Sequence, residues 1–269
     1  MIIGVVFRPQ QPPEDLEAVV RAADRAGVPE LWLWEDCFLE GGLTAATAAL
    51  AWSERVRVGV GLLPVPLRNP ALLAMEVATL ARLWPDRLLL TLGHGVPEWM
   101  AQVGAAVDSP MTLLREYTDA VRDLLAGQRV DVAGRYVRLD GVALDWPPAS
   151  RPPLLVGARG PRTIRLAGEV GDGVLMDSVT DAATVRRARL LVDEGRGASG
   201  RPGRAVVKAY TQVDPAQAAG PLAEQVVERV ATLEEAGADT VVFQGTGQHP
   251  DPRPLVEALA TAGLLPAAS

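Results

Sequence analysis

Short runs of almost uninterrupted apolar residues recur along this chain, each followed by a segment with helical spacing, and few folds can absorb that alternation. The clearest unit is RVRVGVGLLPVPLRNPALLAMEVATLARLWPDRLLLTLGHG, from Arg55 to Gly95. Val56–Leu63 and Arg87–Leu92 are apolar at nearly every position, as expected of strands covered on both faces in a parallel sheet. Between them Asn69 can cap a helix that Pro70 starts, and Leu73, Val77 and Leu80 fall on one side of it. Each strand runs into an irregular segment at its carboxyl end, LLPVPLRN and GHGVP, where ligands sit in α/β folds.

Eight strands are predicted: Ile2–Phe7, Leu31–Trp34, Val56–Leu63, Arg87–Leu92, Leu154–Gly157, Gly173–Asp177, Ala205–Gln212 and Thr240–Gln244. Helices alternate with them near Asp15–Ala26, Thr44–Ser53, Pro70–Leu83, Met111–Ala126, Pro161–Val170, Ala182–Arg196, Ala223–Ala236 and Pro254–Ala262. In RAGVPELWLW and EAGADTVVF a helix stops at glycine and passes straight into a strand, the short connection of a βα repeat. Eight alternations in 269 residues fit a (β/α)8 TIM barrel, typically about 250 residues long. The rival is an open doubly wound sheet, disfavoured because no G-x-G-x-x-G follows the first strand. The expected organisation is a single barrel domain over residues 1–269 with a small hairpin inserted near 129–153, RVDVAGRYVRLDGVALDWPPASRPP. That hairpin either walls a substrate site or decorates the surface.

Composition narrows the class. Apolar residues make up 48%, yet no run approaches the ~20 residues of a membrane span. MIIGVVFRPQ reads as a first strand and lacks the basic start of a signal peptide, so a cytoplasmic protein with no membrane partner is expected. One cysteine excludes an internal disulfide, and with two histidines it argues against a protein-only metal site. A net charge of −7 argues against nucleic acid as the main partner.

LWLWEDCF places Glu35 and Asp36 at the end of the second strand, where barrel enzymes carry working side chains. A carboxylate there can take a proton or hydrogen-bond a cofactor ring, while one of the pair can instead satisfy backbone donors in the next loop. Cys37 is a candidate nucleophile only as a thiolate; with no basic neighbour in sequence, an inert buried thiol is the other reading. LGHG sets His94 between Gly93 and Gly95, so that backbone can approach a ligand while the imidazole stays at the mouth. His249 follows the eighth strand, where a surface role suffices.

LLVGARGPRTIRLAGEVGDGVL is the strongest local signal. The fifth strand runs into Gly157, Ala158, Arg159 and Gly160; Pro161 then opens a helix and Arg162 follows. Free N–H groups at a helix start, a glycine loop and two arginines make an anion or phosphate receptor. A tight βα turn also needs glycine without any ligand. Arg68 has a local explanation in a salt bridge to Glu76, and Trp32, Trp34 and Trp99 either line an apolar pocket or pack between barrel and helices.

In their order these pieces resemble the bacterial luciferase-like monooxygenase family, including its oxidoreductases that depend on the deazaflavin coenzyme F-420. The resemblance runs through AADRAGVPELWLWED, the Arg55–Gly95 unit, REYTDAVRDLLAG, PPLLVGARGPRTIRLAGEVGDGVLM and LEEAGADTVVF. It implies a luciferase-like barrel with a flavin or deazaflavin across its carboxyl-terminal mouth. Asp36 would be the strand-two aspartate, and Leu63 and Pro64 would lie at a strand-three bulge containing a non-proline cis peptide. Gly93, His94 and Gly95 would supply strand-four contacts, and Gly157, Ala158, Gly160 and Pro161 would hold the phosphate. Cys37 stands where that branch often has histidine, and insertions around strands seven and eight are largely missing.

The resemblance implies hydride transfer between coenzyme F-420 and an organic small-molecule substrate, with Asp36 or His94 moving the accompanying proton. Reduced FMN and oxygen activation is the alternative, and a catalytically inactive flavin-binding barrel another. A sugar-phosphate barrel enzyme rests on GARGP alone. A homodimer is the expected assembly.

Overall fold

Eight parallel strands close into a barrel in the order β1, β2, β3, β4, β7, β8, β9, β10 and back to β1. The computed structural model describes residues 1–177, 181–214, 216 and 222–266. The strands are β1 Ile2–Phe7, β2 Glu30–Leu33, β3 Arg57–Pro64, β4 Leu88–Gly93, β7 Leu154–Gly157, β8 Gly173–Met176, β9 Val206–Gln212 and β10 Thr240–Gln244. All eight predicted strands are present, none displaced by more than one residue at either end. Around them run α1 Leu16–Ala26, α2 Gly42–Ala51, α3 Pro70–Leu83, α4 Pro97–Gln102, α5 Pro110–Leu125, α6 Pro161–Val170, α7 Ala182–Ser199, α8 Leu222–Glu235 and α9 Arg253–Thr261. The short α4, which caps the end of β4, was not predicted, because PEWMAQ is too brief to show a period.

Local chemistry sets the helix ends. Asn69 accepts the Ala71 N–H at 2.9 Å with Pro70 in the first turn, as the sequence implies. Gly27 ends α1 at φ 76°, a conformation that excludes most side chains. Ser109 behaves differently. Its hydroxyl meets Thr112 Oγ1 at 2.8 Å and makes no backbone cap.

Strand alternation produces two apolar layers. Outward-facing residues such as Val58, Val60, Leu63 and Leu90 pack under the helices. Inward-facing Val6, Trp32, Leu89, Leu155, Leu175, Tyr210 and Val242 fill the barrel, as the side-chain layers of this fold require. The two large rings need space, and β3 concedes it. A Cβ at Gly59 would overlap the Trp32 ring, and one at Gly61 would overlap the Tyr210 hydroxyl.

Below that layer lies a buried ion pair. Lys208, the only lysine in the chain, binds Glu30 at 2.7 and 2.9 Å and Thr240 Oγ1 at 3.0 Å. Glu30 is fully buried and also takes the Trp32 indole N–H at 2.9 Å and Arg57 at 2.5 Å. Burial lowers the Lys208 pKa, and Glu30 opposes that shift. The predicted insertion is a two-stranded hairpin, β5 Val130–Ala133 and β6 Arg138–Val142. Its tip is held by Glu116 of α5, which accepts the N–H groups of Arg135, Tyr136 and Val137 at 2.9, 2.9 and 3.0 Å. Among the described residues, no part of it lines the main cavity.

Lys208→Met leaves the Glu30 carboxylate in the barrel with only Arg57 as a charged partner. Removing one member of a buried pair costs about 3–5 kcal/mol, and the remaining Arg57 contact puts the expected loss at the lower end. Urea unfolding checks this, and Glu30→Leu combined with Lys208→Met is expected to recover most of the stability.

Candidate active site

The carboxyl ends of the barrel strands open into a cavity of about 610 Å³. Arg8 reaches it from the end of β1, Trp34, Glu35 and Asp36 from β2, and Gly61, Leu62 and Pro64 from β3. His94 and Gly95 follow β4, Gly157 to Gly160 follow β7, Asp177 follows β8, and Gln212 and Gln244 end β9 and β10. A parallel barrel sends every strand end to this face, which is why residues far apart in sequence meet here.

Glu35 and Asp36 take different environments. Glu35 is 8% exposed and binds Arg68 through both oxygens, one at 2.7 Å. It also accepts the Gly42 N–H at 2.8 Å, so it ties the loop after β2 to the start of α2 and to the segment after β3. Arg68 lies 3.8 Å from Glu76, the partner suggested by sequence, and is held chiefly by Glu35. Asp36 faces the cavity. Burial raises its pKa against the pull of Arg8; Asp177 reinforces the rise and Arg159 opposes it.

Arg8 escaped the sequence reading. It donates to the Gly245 carbonyl at 2.7 Å and lies 4.9 Å over the Trp34 ring, and Trp34 stacks on Tyr210 at 6.3 Å. Its one signal was an arginine directly after the first strand. Trp34 and Trp99 line the cavity, whereas Trp32 sits below it inside the barrel. Cys37 is corrected as a catalytic candidate. It is half-buried outside the cavity lining. Burial pushes its thiol pKa up, and Glu35 and Asp36 push it further, so the thiolate needed for nucleophilic attack is disfavoured.

The glycines sort by cause. The register of β3 against β4 slips between Val60 and Leu63, and the Gly61–Leu62 peptide is cis, as is Cys37–Phe38. The bulge is therefore at 61–62, not at Leu63 and Pro64. The extra residue turns Leu62 into the cavity and Leu63 outward into the core beneath the helices, while Pro64 still lines the mouth. A Cβ at Gly93 or at Gly157 would come within 2.5 Å of Leu62 Cδ2. Both glycines thus make room for Leu62, a packing reason that stands beside the expected ligand contact. Gly95 has φ 72° and needs to be glycine for its backbone. Gly160 is different. Its φ of −85° and ψ of 151° suit any residue, and an added Cβ would meet nothing within 4 Å. Neither packing nor conformation explains it.

His94 points toward that turn. Its Nε2 lies 3.4 Å from Thr163 Oγ1 in the first turn of α6. Burial lowers its pKa, with the Pro110 carbonyl opposing, so a neutral imidazole is favoured. Arg159 gives its guanidinium to Asp177, with Nε 2.8 and 2.7 Å from the two oxygens. Pro161 and Arg162 are exposed and do not line the cavity, so the expected pair of phosphate-facing arginines is not assembled. Ala158 and Gly160 remain on the wall. His249 pairs with Asp214 at 3.0 Å, away from the lining.

Fold and cavity together define a (β/α)8-barrel protein with a cavity at its carboxyl-terminal mouth. The chain belongs to the luciferase-like monooxygenase family, whose model matches residues 3–220. It is similar to the F420-dependent hydroxymycolic acid dehydrogenase of Mycobacterium tuberculosis, 32% identical over 213 residues, covering 73% of this chain and 57% of that protein. The chain spans about half the length of the first curated relatives it matches. Its fold is that of an F420-dependent secondary alcohol dehydrogenase solved with an F420-acetone adduct, with TM-score 0.85, 18% identity and 97% of each chain covered. It is also that of the FMN-complexed oxygenating constituent of 3,6-diketocamphane monooxygenase from Pseudomonas putida, with TM-score 0.79, 16% identity and 97% and 96% covered.

Asp36 generates a prediction with a definite sign. Its folded pKa is raised, so the folded state keeps this proton to higher pH than the unfolded chain does. Stability therefore falls as pH rises from the ordinary aspartate value, ~3.9, through the folded value. Asp36→Asn removes that loss. The variant is expected to melt above the wild type at pH 7, with the gap closing in acid below the aspartate range.

Proposed function

We propose that this chain is an oxidoreductase that moves a hydride between coenzyme F-420 and an organic small molecule held in the barrel mouth. The observation that carries the reading is Gly160. It is a glycine with open space over it, at the start of α6 and on the cavity wall, which suits close approach of a phosphate to backbone N–H groups. The relatives named as F420-dependent support the deazaflavin; the FMN-complexed neighbour keeps FMN as the alternative.

The residues fit such a group. The buried Gln244 Oε1, Trp34 Nε1 and Tyr210 Oη lack partners in hydrogen-bond geometry, and all three side chains line the cavity. When bound, the deazaflavin supplies the hydride chemistry. Ala158, Gly160 and Thr163 would hold its phosphate end, with His94 beside them as a neutral hydrogen-bonding group. Leu62, fixed by Gly93 and Gly157, would back its flat ring. Asp36 is the group best suited to hold the accompanying proton on its carboxylate, because burial has already raised its proton affinity. The chain's share of the rate is orientation and exclusion of water. A cytoplasmic site of action is part of this proposal; among the described residues no helix is long and apolar enough to cross a membrane.

Absorbance-monitored titration with F-420 and with FMN tests the cofactor. Wild type is expected to bind F-420 more tightly, and Gly160→Trp to lose at least tenfold in affinity without a change in melting temperature. Tight FMN binding with no F-420 binding reverses the order, and no binding of either removes the function.

We also propose a homodimer through α2 and α3. The exposed positions Thr44, Thr47, Ala51, Leu72, Met75, Thr79 and Leu83 carry no charge, and the one exposed cation of α3, Arg82, turns to the Pro147 carbonyl and the Trp146 ring, so a second copy can cover the uncharged positions without stranding an ion. Met75→Glu is expected to shift sedimentation from dimer to monomer; a wild type that sediments as a monomer ends this reading.

A further inference from the structure

On the cofactor reading proposed for the mouth, a phosphate sits where negative charge is already in excess. Asp36, Asp177 and Glu98 line the cavity as carboxylates, with Glu35 taken up by Arg68. Pro161 also removes one N–H from the turn that would receive the phosphate. Two guanidiniums line the same cavity, Arg8 and Arg159, and they are held in different ways.

Arg8 is fixed. It is half-buried, donates to the Gly245 carbonyl at 2.7 Å and to Gln10 Oε1 at 2.9 Å, and lies over the Trp34 ring. Arg159 is held only at the surface. It belongs to the phosphate turn itself, directly before Gly160, and its side chain is 81% exposed. Asp177, at the end of β8, clasps it, with Nε at 2.8 and 2.7 Å from the two carboxylate oxygens and Nη2 on one of them. An ion pair so open to solvent shifts an equilibrium by about fivefold or less. A guanidinium takes a phosphate through the same two parallel N–H bonds with which it takes a carboxylate. The space over Gly160 leaves the turn open to such a group. Asp177 and a phosphate at Gly160 and Thr163 therefore compete for one guanidinium.

We propose that Arg159 is a phosphate ligand that Asp177 holds in reserve. A phosphate seated on the Gly160 turn takes the guanidinium over, and one ion pair is exchanged for another. Arg159 then distinguishes a ring compound that carries a phosphate from the same ring without it. Asp177 limits how tightly the phosphate is kept, because its carboxylate draws the guanidinium back and favours release.

The test is a fluorescence titration of wild type, Asp177→Asn, and the double variant Arg159→Met with Asp177→Asn. The ligands form two matched sets: F-420 with its phosphate-free deazariboflavin, and FMN with riboflavin, which differ by the phosphate alone. The double variant is used because Arg159→Met by itself leaves a bare carboxylate beside the phosphate. Asp177→Asn is expected to bind the phosphate-bearing compounds about threefold tighter than wild type, and the double variant to bind them about threefold weaker. The phosphate-free rings are expected to bind all three proteins alike, with melting temperatures measured alongside to expose a folding defect. Equal affinity of wild type and double variant for F-420 and FMN means that the pair stays closed, and it overturns the proposal. So does a double variant that loses the phosphate-free rings to the same degree. A loss confined to F-420, with bound FMN unaffected, assigns Arg159 to the acidic tail of that cofactor and overturns the proposal as well. These three outcomes leave the cofactor reading standing, whereas failure of all four compounds to bind wild type overturns both.

Discussion

The volume inside the barrel governs the rest of the structure. Trp32 and Tyr210 meet edge-on, with ring centroids 5.8 Å apart, in a space that eight side chains of ordinary size would fill. The closed strand circle cannot widen, so β3 gives up two side chains, at Gly59 and Gly61. That concession sets the floor of the cavity at the Tyr210 hydroxyl. It also places the β3 irregularity one residue above, where Leu62 swings inward across Gly93 and Gly157. Core packing and site shape are here one arrangement.

Electrostatics then separate the two ends of the barrel. At the amino-terminal end charge is matched. Glu30 has Lys208, Arg57 and the Trp32 indole, and Asp172 has Arg151, Arg201 and the Leu154 N–H. Arg122 and Arg196 donate to the Val170 and Gly171 carbonyls at the end of α6, where a helix carries partial negative charge. Matching of this kind suits a face whose role is stability.

The architecture was legible because period and length are local properties. Apolar runs of four to eight residues separated by helical stretches appear in any window of the sequence. Asp36 and the Gly157–Gly160 turn were legible for the same reason, since each ends an obvious strand. What escaped depends on neighbours across the barrel. Glu30 and Lys208 are 178 residues apart, and nothing near either announces the pair. Arg159 read as a phosphate ligand until Asp177, brought beside it by adjacent strands, claimed its guanidinium. The bulge was misplaced because LLP offers two leucines of equal apolarity, and only the glycines facing Leu62 from β4 and β7 decide which turns inward.

Several unmatched groups line the opposite end. Asp36 is half-buried with its pKa raised and not lowered, Trp34 Nε1, Tyr210 Oη and Gln244 Oε1 lack partners in hydrogen-bond geometry, and Phe38 and Leu39 stand in solvent. Each feature is unfavourable for an isolated fold, because buried polar groups are ordinarily satisfied and apolar ones covered. At the amino-terminal end the carboxylates of Glu30 and Asp172 are each met by two cationic side chains, so the chain does not lack suitable residues. A bound partner with a flat polar ring and an apolar neighbour would complete these groups together. Unmatched groups on one wall support the reading proposed for this mouth, in which a flat ring lies against Trp34, Tyr210 and Gln244.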